Sequence, residues 1–182
     1  MTKKTIINKQ IIRNCNRYID ALFFLRLRHR VPAANFVTTA TLYGHDLRFH
    51  KRSLDGSAKC DAYKTGDDRD SIIGVVFDLT ESEKPILDTY EGLGHGYDKK
   101  IIEVETDSGH IIEAMTYYAL IIDPALKPYH WYKQHVLRGA MEHELPEEYT
   151  KHILGIDSLE DPDTSRHERE MAIYRDVDVQ FI

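Results

Sequence analysis

A chain of 182 residues can form one domain that buries roughly 70% of the surface its unfolded form exposes. With 42% hydrophobic and 30% charged residues it is neither a disordered polar tract nor a membrane protein. The net charge of -6 argues against a general affinity for nucleic acid or anionic lipid.

The chain begins ambiguously. Ile6, Ile7, Ile11 and Ile12 fit neither a strand period nor a helix period, and the segment lacks the apolar stretch and cleavage site of a signal peptide, so a cytoplasmic chain is expected. The basic run Arg26-Leu27-Arg28-His29-Arg30 reads as a solvated helix end in preference to a phosphate-binding patch. Residues 36–43, 47–50 and 71–79 alternate as strands do, and turn signals at Asp55-Gly56-Ser57 and Thr65-Gly66-Asp67-Asp68 separate them. A short helix follows, with Ile86, Leu87 and Tyr90 on one face. Pro85 in its first turn favours Ser82 over Thr80 as the cap, and Gly92 ends it.

Residues 99–106 and 110–121 predict a hairpin across Asp107-Ser108-Gly109. After Asp123-Pro124 the period becomes helical through Trp131, His135 and Met141, and Pro146 opens a further helix through Tyr149 and Ile153. From Asp157 the chain is polar and predicts a loosely held tail, residues 157–182, in which 177–182 alternate and could add a strand. The pattern is that of a single α+β domain over residues 1–156, with residues 1–17 unassigned.

Two cysteines, Cys15 and Cys60, form no ligand motif. His130 and His135 lie five apart, off a shared helical face, so no metal site is expected.

Glu91 stands where the short helix enters Gly92-Leu93-Gly94-His95-Gly96-Tyr97, a run that lets backbone approach a ligand closely. At a helix C-terminus the dipole favours the protonated carboxyl, the direction a proton-shuttling acid needs. An exposed helix-end Glu before an ordinary glycine cap would show the same local pattern.

The wider pattern resembles the gamma-glutamyl cyclotransferase family, bacterial type. The blocks that carry it are Leu87-Asp88-Thr89-Tyr90-Glu91-Gly92 with Gly96-Tyr97, the preceding Gly44-His45-Asp46-Leu47-Arg48-Phe49-His50-Lys51-Arg52-Ser53 and Gly74-Val75-Val76-Phe77, and the following Tyr132-Lys133 and Leu145-Pro146-Glu147-Glu148-Tyr149. The resemblance implies a small, strongly curved mixed β-sheet or barrel flanked by helices. It also implies conversion of a gamma-glutamyl amino acid, amine or peptide such as glutathione to 5-oxoproline, with release of the attached amine. On that resemblance Glu91 is the catalytic acid/base and Tyr132 contacts substrate. No cofactor, metal, nucleic acid or membrane partner is implied, and oligomeric state is left open.

The family's Tyr-Gly-Ser-Asn substrate loop, ending in Leu or Met, falls on Tyr18, Ile19, Asp20, Ala21 and Leu22. Ile19 puts a β-branched side chain where the family has glycine, and Asp20 brings negative charge to a loop that would receive a carboxylate. Two readings therefore stand: a cyclotransferase with an altered binding loop, or a small-ligand binding module on the same scaffold.

Overall fold

The computed structural model describes residues 17–20 and 24–174, the side chains of Asp20, Phe24 and Leu25 excepted. Cys15, the isoleucines before it, Ala21, Leu22 and the alternating 177–182 segment lie outside the described residues.

Five strands close a barrel in the order β1 (Arg17–Asp20), β5 (Ser71–Asp78), β2 (Asn35–Tyr43), β6 (Tyr97–Thr106) and β7 (Ile111–Ala119). Each adjacent pair is antiparallel except the closing contact, where Tyr18 of β1 registers in parallel with Met115 of β7. β3 (His45–Arg52) and β4 (Ala58–Lys64) make a separate two-stranded ribbon. It is tied to the chain leaving β7 by the bond from Arg52 N–H to the Ile121 carbonyl, 2.9 Å. The Asp107-Ser108-Gly109 turn joins β6 to β7, and Gly109 takes a φ of 77° there, which its missing side chain permits.

The helices are α1 (Phe24–Arg30), α2 (Lys84–Glu91), α3 (His130–Glu142), α4 (Glu147–Gly155) and α5 (Thr164–Ala172). Two apolar cores result. One gathers Leu42, Leu47 and Ile72 with Trp131, Val136 and Ile153 of α3 and α4. In the other, Leu27, Val31 and Leu87 of the α1–α2 side pack on Val75, Phe77 and Met115 of the barrel. Each fully buried side chain such as Phe77 or Leu87 contributes about 1.5–3 kcal/mol.

Four sequence expectations need correction. Ser82 does not cap α2. Glu83 holds the N-cap position without a side-chain cap bond, and its carboxylate turns back to accept from Thr80 N–H (3.3 Å) and Thr80 Oγ1 (2.9 Å). The basic run is not a solvated helix end: Arg30 and Arg26 turn inward to Glu91 and Glu170, while Arg28 and His29 remain exposed. Ala58–Lys64, which the flanking turn signals had only bracketed, is a strand.

Nor is the segment after Asp157 a loose tail as far as residue 174. Asp161 is buried, accepts from Trp131 Nε1 at 2.7 Å, and is gripped by Arg166 through both carboxylate oxygens, at 2.6 and 2.5 Å. Polar contacts do much of the holding here, since α5 has no fully buried residue and adds a partly buried Met171 to the first core.

Candidate active site

Glu91 is the last residue of α2, and the helix is fixed at both ends. At its start the buried Glu83 carboxylate also accepts from Ala33 N–H at 2.7 Å, tying α2 to the loop after α1. Near its end Asp88 accepts from Tyr117 Oη of β7 at 2.6 Å and from Lys99 Nζ of β6 at 2.7 Å. Gly92 then closes the helix in the left-handed region, φ 66° and ψ 49°. The Glu91 side chain is 15% exposed, and its Oε1 accepts from Arg30 Nη1 at 2.6 Å. A charge-assisted bond of that length fixes the carboxylate's orientation. Arg30 is itself steadied over the Tyr90 ring, 5.1 Å from its centroid.

Glu91 borders a cavity of about 50 Å³ at the junction of the two cores. Ile19, Leu42, Leu47 and Ile72 form its apolar wall, and Asp61, Tyr97 and Tyr117 add polar atoms. A space of that size holds a few water molecules, so one polar end of a small ligand fits inside while the remainder lies across the rim. Lys51 lies against one of the lining residues, its Nζ 4.8 Å from the Tyr97 ring centre. Partial burial lowers the Lys51 ammonium pKa, against the opposing pull of Glu91. A methyl group on Gly96 would come within 3.0 Å of Lys51 Nζ, so a glycine there lets that side chain lie flat on the loop.

The structure brings together some of the residues picked out from sequence and not others. Tyr18 and Ile19 line the cavity with Glu91. They do so from β1, paired with Phe77 and Val76, where a loop was expected; a β-branched side chain at position 19 suits an extended backbone. Asp20 continues that strand opposite Val75. Tyr132 is buried on α3 and stands outside the ring of cavity-lining residues. Its hydroxyl oxygen accepts from Cys60 N–H at 3.1 Å, while the Tyr97 hydroxyl donates to the Cys60 carbonyl at 2.7 Å. The two phenols thus clamp Cys60 of the cavity wall through the peptides on its two sides, and burial pushes both well above the ordinary tyrosine pKa.

Sequence reasoning missed Arg30 and Asp61. The first was hidden in a charge run. The second, between Cys60 and Ala62, carried no motif at all. Among the described residues no cluster of three or more His, Cys, Asp or Glu side chains forms a metal-ligand set, and no helix is long and apolar enough to cross a membrane.

Residues 71–153, which include α2, the glycine run and β6–β7, match the AIG2-like family model. A solved gamma-glutamyl cyclotransferase superposes with a TM-score of 0.72 at 24% identity, over 80% of this chain and 90% of its own. The fold is gamma-glutamyl cyclotransferase-like. An uncharacterized human protein, loc79017, aligns with a TM-score of 0.71 at 25% identity over 79% of this chain and 88% of its own. A yeast gamma-glutamyl cyclotransferase specific to glutathione aligns at 0.57 and 11% identity, over 78% and 95%. No curated protein matches in sequence. The cyclotransferase-like fold thus accounts for about four-fifths of the chain.

Proposed function

We propose that this chain cyclises a gamma-glutamyl amino acid, amine or peptide to 5-oxoproline, with Glu91 as general acid/base. The observation that carries this reading is the Glu91 carboxylate, mostly buried and oriented by Arg30, at a cavity of the cyclotransferase-like fold. The reaction needs no second substrate. The α-amino nitrogen bonds to the side-chain carbonyl carbon, and the bond from that carbon to the leaving nitrogen breaks. Glu91 takes protons from the ammonium and returns them to the departing amine, so the carboxylate ends as it began. Folding the glutamyl chain back on itself supplies the effective concentration that an intermolecular reaction lacks.

On this reading Tyr18 and Ile19 form the wall against which the glutamyl chain bends. Tyr132 acts behind that wall, holding the Cys60 peptide in place. A site in the cytoplasm agrees with chemistry on gamma-glutamyl metabolites. The test is direct incubation with gamma-glutamyl amino acids, amides and glutathione, followed by detection of 5-oxoproline. Turnover is expected to fall at least about 10²-fold in Glu91→Gln, which keeps the shape and removes the base.

A second reading, a module that binds the same ligands without turning them over, is favoured by one observation: positions 18–20 are strand, where the family has a loop. Ligand binding by calorimetry with no 5-oxoproline formed would select it.

A further inference from the structure

We propose that Asp61 is a specificity-determining residue that receives the substrate's α-ammonium group in the cavity it shares with Glu91; this rests on the cyclotransferase reading above. Asp61 lies on β4, its side chain only 4% exposed, and yet it lines the cavity. Its carboxylate is held from two directions. Oδ1 accepts from Ala119 N–H at 2.8 Å, and Oδ2 is hydrogen-bonded to His50 Nε2 at 2.8 Å.

The second contact depends on a fault in the strand. The β3–β4 register shifts between Phe49 and Lys51, leaving His50 as the extra residue of a bulge. Before that point His45 and Leu47 face inward; at the bulge the alternation slips, and His50 turns in where Phe49 would have done. Bulges re-aim side chains in this way beside functional sites. The ring is then fixed edge-on to Tyr63, 5.3 Å between centroids.

A carboxylate presents about four lone-pair positions, and these two contacts use two of them. The remaining capacity, on a group that borders the cavity, suits a compact donor of several hydrogen bonds. Glu91 and the Tyr97 phenol border the same space. A small cavity lined by two carboxylates, by phenols, a threonine and apolar groups, and by no lysine, arginine or histidine among the described residues, selects a primary ammonium over an anion. A gamma-glutamyl compound carries one such group, and it is the nucleophile. With one N–H on Asp61 and another toward Glu91, the nitrogen would be held where the base can remove its proton.

The experiment compares two ligands that differ by the amino group alone: gamma-glutamyl ethylamide, and the monoethylamide of glutaric acid. Both are titrated calorimetrically into the Glu91→Gln chain, which prevents turnover, and into Glu91→Gln with Asp61→Asn. Asparagine preserves the acceptor for Ala119 N–H. The Glu91→Gln chain is expected to prefer the amino ligand by about 30-fold or more, and adding Asp61→Asn should reduce that preference to about threefold or less, leaving affinity for the deaminated ligand within about threefold. A preference that survives Asp61→Asn overturns this inference and leaves the cyclotransferase reading standing. If neither ligand binds the Glu91→Gln chain and the wild type forms no 5-oxoproline, both are overturned. Should Asp61→Asn prove unfolded by circular dichroism, His50→Gln replaces it. That variant keeps the carboxylate and removes its orienting ring, so the preference should drop about tenfold, and an unchanged preference overturns the inference.

Discussion

The bond from Arg30 to Glu91 joins residues 61 positions apart, and both side chains are largely withdrawn from water. An arginine there does two things that a neutral donor would not. It sets the plane of the carboxylate through a directional N–H, and it balances a charge that the cavity's apolar wall cannot solvate. Arg30→Ala should therefore lower kcat/KM for 5-oxoproline formation by at least about tenfold, and Arg30→Lys should restore part of the loss, because an ammonium replaces the charge but not the planar fork. Guanidinium added to Arg30→Ala is expected to recover activity, which a merely unfolded variant would not show. Initial rates with and without guanidinium decide it, and unchanged rates in Arg30→Ala would mean that Glu91 is oriented by something else.

At the scale of elements, α2 is short and owes its position to polar anchors at its two ends. Asp88 lies one helical turn before Glu91 and binds two of the barrel strands that border the cavity, β7 through Tyr117 and β6 through Lys99. Asp88→Ala should release that turn and let the Glu91 carboxylate wander by a fraction of an ångström or more. Since misplacement of about 1 Å can cost about 10²-fold, kcat is expected to fall about 10- to 100-fold with KM changed less than about threefold. A KM effect as large as the kcat effect would point to loss of binding instead. The sequence discloses α2 itself, through the spacing of Ile86, Leu87 and Tyr90 and through Gly92, but not these anchors, because Asp88 and Glu83 look like ordinary solvated helix residues. The same limit explains the other elements. The β6–β7 hairpin and α3 were legible because their apolar residues keep one period. In β4 the sequence Ala-Lys-Cys-Asp-Ala-Tyr-Lys alternates only weakly, since its buried Asp61 occupies an inward position that usually carries an apolar residue. α5 was illegible for the opposite reason. Besides Met171, its contacts run through Arg166 and Glu170, and a search for apolar periodicity passes over a helix held largely by charges. The Glu91 position could be read from local sequence and family pattern together, whereas Arg30 and Asp61 acquire meaning only when the barrel closes.

For the whole molecule, the segment after α4 joins the site to the rest of the fold. Glu170 of α5 lies 3.8 Å from Arg26 of α1 and 3.3 Å from His135 Nε2 of α3, and Arg26 also lies over the Trp131 and Tyr132 rings. His135 is fully buried, with its Nδ1 on the Tyr174 hydroxyl. Nδ1 as acceptor and Nε2–H toward Glu170 is the arrangement of a neutral imidazole. Burial lowers its pKa, against the raising effect of Glu170 and with Arg26 and Arg30 adding to the lowering. Burial likewise lowers His45, beside Lys100, and His143, stacked on Phe36. For all three the unfolded chain binds protons more readily than the folded one. Their contribution to stability is therefore complete above about pH 6.5 and is lost as the pH falls through that value toward the lower folded ones. Each proton so taken up changes the slope by at most about 1.4 kcal/mol per pH unit. Glu142 works in the other sense, its carboxyl raised by burial, but its effect starts from 4.5 upward and opposes the histidines only at the acid end. Unfolding in urea at pH 7.5, 6.5 and 5.5 should therefore show stability falling with acidification. In His135→Gln the curve should start lower at pH 7.5, for loss of a buried hydrogen-bond partner, and fall less steeply. Stability that is flat or rises on acidification would mean that these rings are charged in the folded protein, which would contradict the neutral bridge between Tyr174 and Glu170.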